Sequence, residues 1–192
     1  MSLGKARTLD ELRPVLLDPL ADGPEEAYFM IRGKPNISVW PAAMYGKEYN
    51  KSVGHYHKNL QPETYWVLHG EAVFVLQKRS VILGFNHERQ NDKIEAVRLV
   101  RLKAGDSIHI EGVWGHAMVN VGEEALVTSD DAPSDASHSQ NDYETIRTKH
   151  GMAYYIVKGE DDKPRAVPNP HYTNLPKPTW EESPIGMIDN DS

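Results

Sequence analysis

Three histidines and a glutamate are spaced in this sequence as the ligands of a metal ion would be. His55 and His57 stand two residues apart, and Glu63 follows after six more positions. In a β-strand, residues i and i+2 point to the same face about 7 Å apart along the backbone, so both imidazoles can approach one cation. After an intervening turn, Glu63 begins another strand, and Tyr65 shares its face. His116, which follows a glycine-containing turn, is the fourth candidate ligand, and such a set leaves open positions on a six-coordinate metal.

The chain contains no cysteine, which excludes disulfide bonds and thiolate ligands. A metal ion would therefore be held by nitrogen and oxygen atoms, and histidine with glutamate suits Fe, Mn, Ni, Zn or Co. We expect one such divalent ion per chain. The order of metal affinities alone does not identify which of them is native.

β-Strands must position these side chains. From about residue 28 to 158, segments rich in β-branched and aromatic residues recur between turn signals, and no long stretch has a helical period. Several segments alternate polar and apolar residues, as half-buried antiparallel strands do. The pattern predicts an all-β sandwich or barrel. Near the N-terminus, a capping box at Thr8 and Glu11 predicts only a short helical turn, because Pro14 would interrupt a longer one.

The length of 192 residues predicts a single domain over residues 1–192. We expect its core to span about 28–158, with an N-terminal extension over 1–27. The proline-rich extension over 159–192 is expected to lie extended on the domain surface or to be partly loose.

Charge and hydropathy argue against two classes of partner. The net charge is −7, with the basic residues scattered, which disfavours nucleic acid. No apolar run approaches the roughly 18 residues of a membrane span, and the first residues resemble neither a secretory signal nor an arginine-rich leader. We therefore expect a cytoplasmic protein that binds neither nucleic acid nor membrane.

The residues around the candidate ligands resemble the two cupin motifs. The first motif is matched in spacing by Gly54, His55, His57, Glu63 and Gly70. The second is matched by Gly105, His116 and Asn120, with Glu111 in place of its usual proline and Val113 in place of its usual glycine. This resemblance implies a small antiparallel jelly-roll barrel with a divalent metal held by His55, His57, Glu63 and His116.

The resemblance narrows to the cupin-type glucose-6-phosphate isomerases, best known from archaea. Residues 37–57, ISVWPAAMYGKEYNKSVGHYH, are similar to that family's threonine-rich strand, its Gly-Lys-Glu turn and its Thr-x-Gly before His-x-His. Residues 121–146 resemble the family's segment from Ile-Gly-Asp-Glu to Asp-Tyr-Gly-Thr-Ile. VPNPHY at 167–172 is similar to its Asp-Asn-Pro-Arg-Trp. The match covers most of residues 28–172.

Carried over position by position, the family's substrate contacts fall on six residues. Those that bind phosphate fall on Tyr28, Ser38, Ser52 and Gly54, and those that contact the sugar fall on Tyr65 and His138. Short hydroxyls and backbone amides bind phosphate oxygens without extra positive charge, and Lys51 would add Coulombic attraction.

The chain departs from the family at three places. Serines replace threonines at the phosphate site, and a second phosphate-site tyrosine falls on Ala132, which removes a donor. The hairpin over 77–102 is longer than the family's, as is the loop after His138.

The resemblance implies an intramolecular oxidoreductase that interconverts glucose 6-phosphate and fructose 6-phosphate, a step of glycolysis and gluconeogenesis. Glu63 would move the proton through a cis-enediolate, assisted by Tyr65 and His138, while the metal acts as a Lewis acid. A metal-assisted hydride shift would use the same residues. Two alternatives stay open, an isomerase of another sugar or sugar phosphate and a noncatalytic sugar-binding cupin. A homodimer is expected, because cupins commonly pair through exposed sheet edges.

Overall fold

β-Strands dominate the computed structural model, which describes residues 2–3, 6–81, 89–132 and 141–182. The strands, in chain order, are β1 (Ser2–Leu3), β2 (Arg7–Thr8), β3 (Glu26–Arg32), β4 (Asn36–Trp40), β5 (Met44–Tyr45), β6 (Glu48–Tyr49), β7 (Tyr56–His57), β8 (Glu63–His69), β9 (Glu71–Val81), β10 (Arg89–Lys103), β11 (Ser107–Ile110), β12 (Trp114–Asn120), β13 (Leu126–Asp130), β14 (Asn141–Asp142), β15 (Tyr154–Lys158), β16 (Pro164–Pro168) and β17 (Thr179–Glu182). The helices are α1 (Leu9–Leu12), which a 3-10 turn at Arg13–Val15 follows, and α2 (Glu144–Thr148).

Two main sheets form the barrel. One has the order β1-β3-β4-β13-β8-β11, with β2 also paired to β3, and the other has the order β12-β9-β10-β17. A smaller sheet, β16-β15-β6-β5, and the β14-β7 pair complete the wall. Every pairing among these strands is antiparallel except that of β10 with β17. The predicted all-β class, a small antiparallel jelly-roll barrel, is confirmed.

Alternation along the strands decides what faces the barrel interior. In β8, Glu63, Tyr65 and Val67 are buried, whereas Trp66 and Leu68 are exposed. β4 alternates in the same way, with Ser38 and Trp40 buried and the residues between them only partly so. The largest fully buried side chains come from both sheets and from the N-terminal segment, and include Leu12, Trp40, Tyr56, Phe74, Leu76, Leu99, Leu126 and Ile156.

The short N-terminal helix forms as its capping box predicts. The Glu11 backbone N–H donates to the Thr8 hydroxyl at 3.3 Å, and the Glu11 carboxylate accepts from the Thr8 backbone N–H at 3.0 Å. α1 ends at Leu12, and Pro14 lies in the 3-10 turn that follows it. Since Leu12 and Val15 are buried, this segment packs into the core.

The C-terminal extension is extended, and two of its stretches join the sheets. β16 pairs with β15, and β17 lies parallel to β10 with Trp180 opposite Leu99. The long hairpin is formed by β9 and β10, while residues 82–88 at its tip lie outside the described residues. None of the helices in the described ranges has the length and apolar character that crossing a membrane requires.

Candidate metal centre

Three separate backbone segments bring the four candidate ligands to one place. His57 belongs to β7, and His55 forms an isolated β-bridge with His116 of β12. Glu63 is the first residue of β8, in the opposite sheet. Gly54 allows the segment that carries His55 to lie close to β12. Its φ of +80° is in the left-handed region that favours glycine, and its Cα faces Ala117 across the bridge.

The ligand atoms of His55, His57, Glu63 and His116 all lie within 4.8 Å of one another. The two Nε2 atoms of His55 and His57 are 3.0 Å apart, and Glu63 Oε2 lies 3.2 Å from His57 Nε2 and 3.4 Å from His116 Nε2. Three of the four residues are buried and His55 is partly so. The structure therefore assembles a compact His₃Glu cluster inside the barrel.

The donor set of this cluster fits a divalent cation. Although two imidazoles lie close to Glu63 Oε2, this buried oxygen has no well-directed hydrogen bond within the described part of the chain. His57 Nδ1 contacts the Gln61 carbonyl oxygen, which assigns the proton to Nδ1 and leaves the Nε2 lone pair facing the cluster. A metal ion with nitrogen and oxygen ligands requires imidazole lone pairs and a carboxylate oxygen that point to one place, with no proton between them.

Charge and burial shift two pKa values within the cluster. Burial raises the pKa of the Glu63 carboxyl, but His116 and His57 lower it more, and the pKa ends well below its usual range. Burial lowers the pKa of His57, but Glu63 and the Gln61 carbonyl raise it more, so it ends above its usual value. Glu63 is therefore a carboxylate at neutral pH.

A cavity surrounds the cluster and is open to solvent on one side. With its mouth included it encloses about 820 Å³. Nine described residues that the sequence assigned to metal ligation or direct substrate contact lie along its wall, namely Tyr28, Ser38, Ser52, Gly54, His55, His57, Glu63, Tyr65 and His116. The tenth, His138, lies outside the described residues.

Tyr65 stands beside the cluster. Its hydroxyl oxygen is 3.3 Å from His116 Nε2, and the side chain is buried. Burial and the charge of Glu63 raise its pKa well above the ordinary value, so that the hydroxyl keeps its proton. A protonated hydroxyl at this place can donate a hydrogen bond to an oxygen of a bound molecule.

Tyr28 and Ser52 line the cavity farther along its wall. Tyr28 stacks on Trp40 with 5.5 Å between ring centroids, and burial raises the pKa of Tyr28 to about 12. The Ser52 oxygen accepts a hydrogen bond from the Met118 backbone N–H at 3.0 Å, so its own O–H remains a donor. Both residues therefore offer neutral hydroxyls to the cavity.

Lys51 lies away from the cavity. Its buried ammonium is 2.6 Å from Glu48 Oε1 and donates to the Val15 carbonyl, and it lies 5.0 Å from the ring of Tyr155. This pairing ties the N-terminal segment to the barrel. The expected contribution of Lys51 to anion binding is therefore not supported by its position.

Several cavity residues were not singled out from the sequence. Arg32 and Met30 line the cavity, and they follow Tyr28 at intervals of two residues along β3, a signal that strand alternation offers. Tyr143 lies 5.2 Å from His55 between ring centroids. Asp130 does not line the cavity but is buried opposite Tyr65, which does, and its burial and the charge of Glu63 raise its pKa to about 6.

Comparison with known proteins agrees with this geometry. A model of the family described as glucose-6-phosphate isomerase (GPI) matches residues 34–171. A glucose-6-phosphate isomerase of Pyrococcus horikoshii is 29% identical over 130 residues, 67% of this chain and 59% of the relative. One from Thermococcus litoralis is 27% identical over 128 residues, 66% of this chain and 57% of the relative. The chain thus spans less than two thirds of the length of these relatives.

Solved structures show only distant likeness. The capsular polysaccharide assembling protein CapF from Staphylococcus aureus has a TM-score of 0.41 and 13% identity, over 61% of this chain and 29% of that chain. An oxalate decarboxylase formate complex from Lactobacillus farciminis has a TM-score of 0.38 and 22% identity, over 57% and 30% respectively. Scores this low do not support an inference about function.

Proposed function

The chain belongs to the glucose-6-phosphate isomerase family, and we propose on that premise that it is a metal-dependent isomerase interconverting glucose 6-phosphate and fructose 6-phosphate. The observation that carries the proposal is the convergence of His55, His57, Glu63 and His116 inside a cavity that is open to a small molecule. The cavity is concave and carries several polar groups on its wall, as small-molecule sites do.

The four residues of the cluster would hold one divalent ion, of Fe, Mn, Ni, Zn or Co. When bound, the ion would supply Lewis-acid polarisation of the sugar carbonyl and the neighbouring hydroxyl. The chain itself supplies the ligand positions, since the three segments that carry the histidines and Glu63 are fixed by strand pairing. The Gln61 carbonyl orients His57 within that set.

Glu63 is the base of the proposed reaction. Its carboxylate takes the proton from C2 of the open-chain aldose and returns it to C1, while the hydroxyl proton passes from O2 to O1 and the carbonyl moves from C1 to C2. The intermediate is a cis-enediolate. The carboxylate is buried beside the point on which the ligands converge, on the wall of the cavity in which the sugar would bind.

Tyr65 would position the reacting oxygens of the sugar, because its protonated hydroxyl lies within hydrogen-bonding distance of the cluster. We also assign a sugar contact to His138, on the sequence resemblance alone. The phosphate would bind to hydroxyls and a backbone amide along the wall, at Tyr28, Ser38, Ser52 and Gly54.

Conversion of fructose 6-phosphate in D₂O tests the function and the route together. We expect glucose 6-phosphate to form, with deuterium at C2 detected by NMR, because a proton on Glu63 can exchange with solvent. Product without deuterium would overturn the role of Glu63 and favour a hydride shift. Absence of any product with metal-loaded protein would contradict the isomerase function.

Ala132 favours a second candidate, an isomerase of a sugar without phosphate. The residue lines the cavity with a methyl group, which offers no hydrogen-bond donor. A comparison of kcat/KM for fructose 6-phosphate and for unphosphorylated sugars decides between the two. Preference for the phosphorylated sugar supports the first candidate, and preference for a free sugar supports the second.

We also propose that two copies of the chain form a homodimer through the outer face of the larger sheet. That face carries Phe29, Ile31, Ile37, Val39, Trp66, Leu68 and Val127 on four neighbouring strands. Trp66 and Leu68 are 39% and 52% exposed. An antiparallel sheet that faces water ordinarily carries polar residues there, so an apolar face of this extent indicates a protein partner.

A further inference from the structure

We propose that Arg79 is a positioning residue of the metal centre, which fixes the backbone that carries His55 and His57. It would act through the metal site of the proposed function, on which this inference rests. Arg79 belongs to β9 and so to the long hairpin, to which the resemblance to the family assigns no task. Its side chain is only 8% exposed, and it is not among the described residues that line the cavity.

Tyr56 is the residue through which the histidine pair is held. It lies between His55 and His57, and successive side chains of a strand point to opposite faces. Both histidines line the cavity and Tyr56 does not, so its ring points into the wall behind them. The ring is fully buried. The groups that hold this ring therefore fix the direction of the two imidazoles.

Two side chains of β9, Gln77 and Arg79, hold Tyr56 at different places. Gln77 Nε2 donates to the Tyr56 hydroxyl oxygen at 2.6 Å. Arg79 Cζ lies over the Tyr56 ring, 3.7 Å from its centroid. A planar guanidinium is attracted to the face of an aromatic ring, and more strongly where water is excluded. Gln77 thus fixes the hydroxyl end of the side chain, and Arg79 covers the face of the ring.

Arg79 also contacts the segment that begins with β14, the strand paired with β7. Its Nη1 lies 3.6 Å from Asp142 Oδ2 and donates to Thr145 Oγ1 at 3.4 Å. Thr145 in turn donates from Oγ1 to Asp142 Oδ2 at 2.7 Å. Asp142 is the register partner of Tyr56 in the β14–β7 pair. One guanidinium therefore contacts both strands of this pair.

The charge of Arg79 matters because Asp142 is partly buried. Without Arg79, the carboxylate of Asp142 loses a positive charge beside it, and β14 loses a contact that holds it against β7. Tyr143 follows Asp142 directly and lines the cavity, with its ring centroid 5.2 Å from that of His55. Loss of Arg79 would therefore disturb the histidine pair through Tyr56 and through Tyr143.

Titration of Co²⁺ into chelator-stripped protein tests the inference in Arg79→Met and Arg79→Lys. We expect Arg79→Met, which keeps neither the charge nor the plane, to weaken Co²⁺ binding about 10-fold, as loss of a group that supports metal ligands does. The visible absorption spectrum of the bound Co²⁺ should change as well, because it reports the geometry of the ligands. Arg79→Lys should recover part of the affinity, since the ammonium still faces Asp142 but has no plane to stack.

Arg101→Met is the matched control, because Arg101 lies on the same hairpin and forms a partly exposed ion pair with Glu71. We expect it to bind Co²⁺ with the affinity and the spectrum of the wild type. Thermal unfolding of the metal-free proteins measures the loss of stability separately. A purely structural role would make Co²⁺ binding follow stability in both variants.

Asp142→Asn is a second variant, for use if Arg79→Met does not fold. It keeps an oxygen that can accept from Thr145 but removes the charge that faces Arg79, so Co²⁺ should bind more weakly than in the wild type. Affinity and spectrum equal to the wild type in Arg79→Met, or in both Arg79→Lys and Asp142→Asn, would overturn the inference and leave the isomerase function intact. A wild-type protein that binds no Co²⁺ would instead contradict the metal site of the proposed function.

Discussion

Glu63 carries two tasks at the proposed centre, since its carboxylate is both a ligand group and the base. Its oxygen Oε2 lies 3.2 Å from His57 Nε2 and 3.4 Å from His116 Nε2. Strand alternation could place His55 and His57 together from the sequence, and the resemblance to the cupin motifs added Glu63 and His116 to the ligand set. The position of Lys51 away from the cavity could not be predicted from the sequence. It depends on contacts with Glu48 and the Val15 carbonyl, which form only in the folded chain.

Glu63→Gln separates these two tasks. The amide keeps an oxygen for the metal but cannot accept the proton, so we expect kcat to fall by about 10²- to 10⁴-fold. Metal content, measured by elemental analysis after dialysis, should fall less than in His55→Ala or His57→Ala. Equal loss of metal in all three variants would refute a separate role for Glu63 as base.

At the scale of the elements, the turn before β7 determines where the histidine pair points. Gly54 has a φ of +80°, and a Cβ there would lie 3.0 Å from Met152 Sδ and 3.2 Å from Ala117 Cβ. The alternating strands and the capping box were predictable from local patterns. The pairing of β17 with β10 was not, because a parallel contact between segments about eighty positions apart leaves no local sequence signal.

Gly54→Ala should lower both the stability and the metal affinity. A non-glycine residue in the left-handed region costs about 1–3 kcal/mol, and crowding against Ala117 adds to this cost. Urea unfolding and metal titration measure the two effects. Gly105→Ala is the control, because Gly105 also has a positive φ, +96°, but a Cβ there meets open space.

The control should lose stability through backbone strain alone and bind metal as the wild type does. If Gly54→Ala also bound metal as tightly as the wild type, the turn would not be what sets the position of His55 and His57.

At the scale of the whole molecule, the barrel separates two surfaces of one sheet. The inner surface of β3, β4 and β8 lines the cavity, and the outer surface of β3, β4, β13 and β8 is largely apolar. The sequence indicated the barrel through repeated short strands and the resemblance to cupins. It could not show which apolar residues face outward, because an outward apolar residue breaks the alternation on which that inference depends.

Trp66→Glu combined with Leu68→Glu should convert the proposed dimer to a monomer, because like charges would be buried unpaired in an apolar contact. Size-exclusion chromatography with light scattering gives the mass. Trp180→Glu is the control, since Trp180 is similarly exposed at 44% but belongs to the other sheet, and it should leave the dimer intact. A wild-type protein that is monomeric at all concentrations contradicts the proposed interface.

The most direct test of the central claim is a coupled assay of fructose 6-phosphate conversion on protein stripped of metal by a chelator. Fe, Mn, Ni, Zn and Co are then resupplied one at a time, with His116→Ala as the matched variant. We expect activity to vanish with the chelator and to return with at least one metal in the wild type, and not in the variant. Activity that survives complete removal of metal, or no activity with any metal bound, would contradict the account.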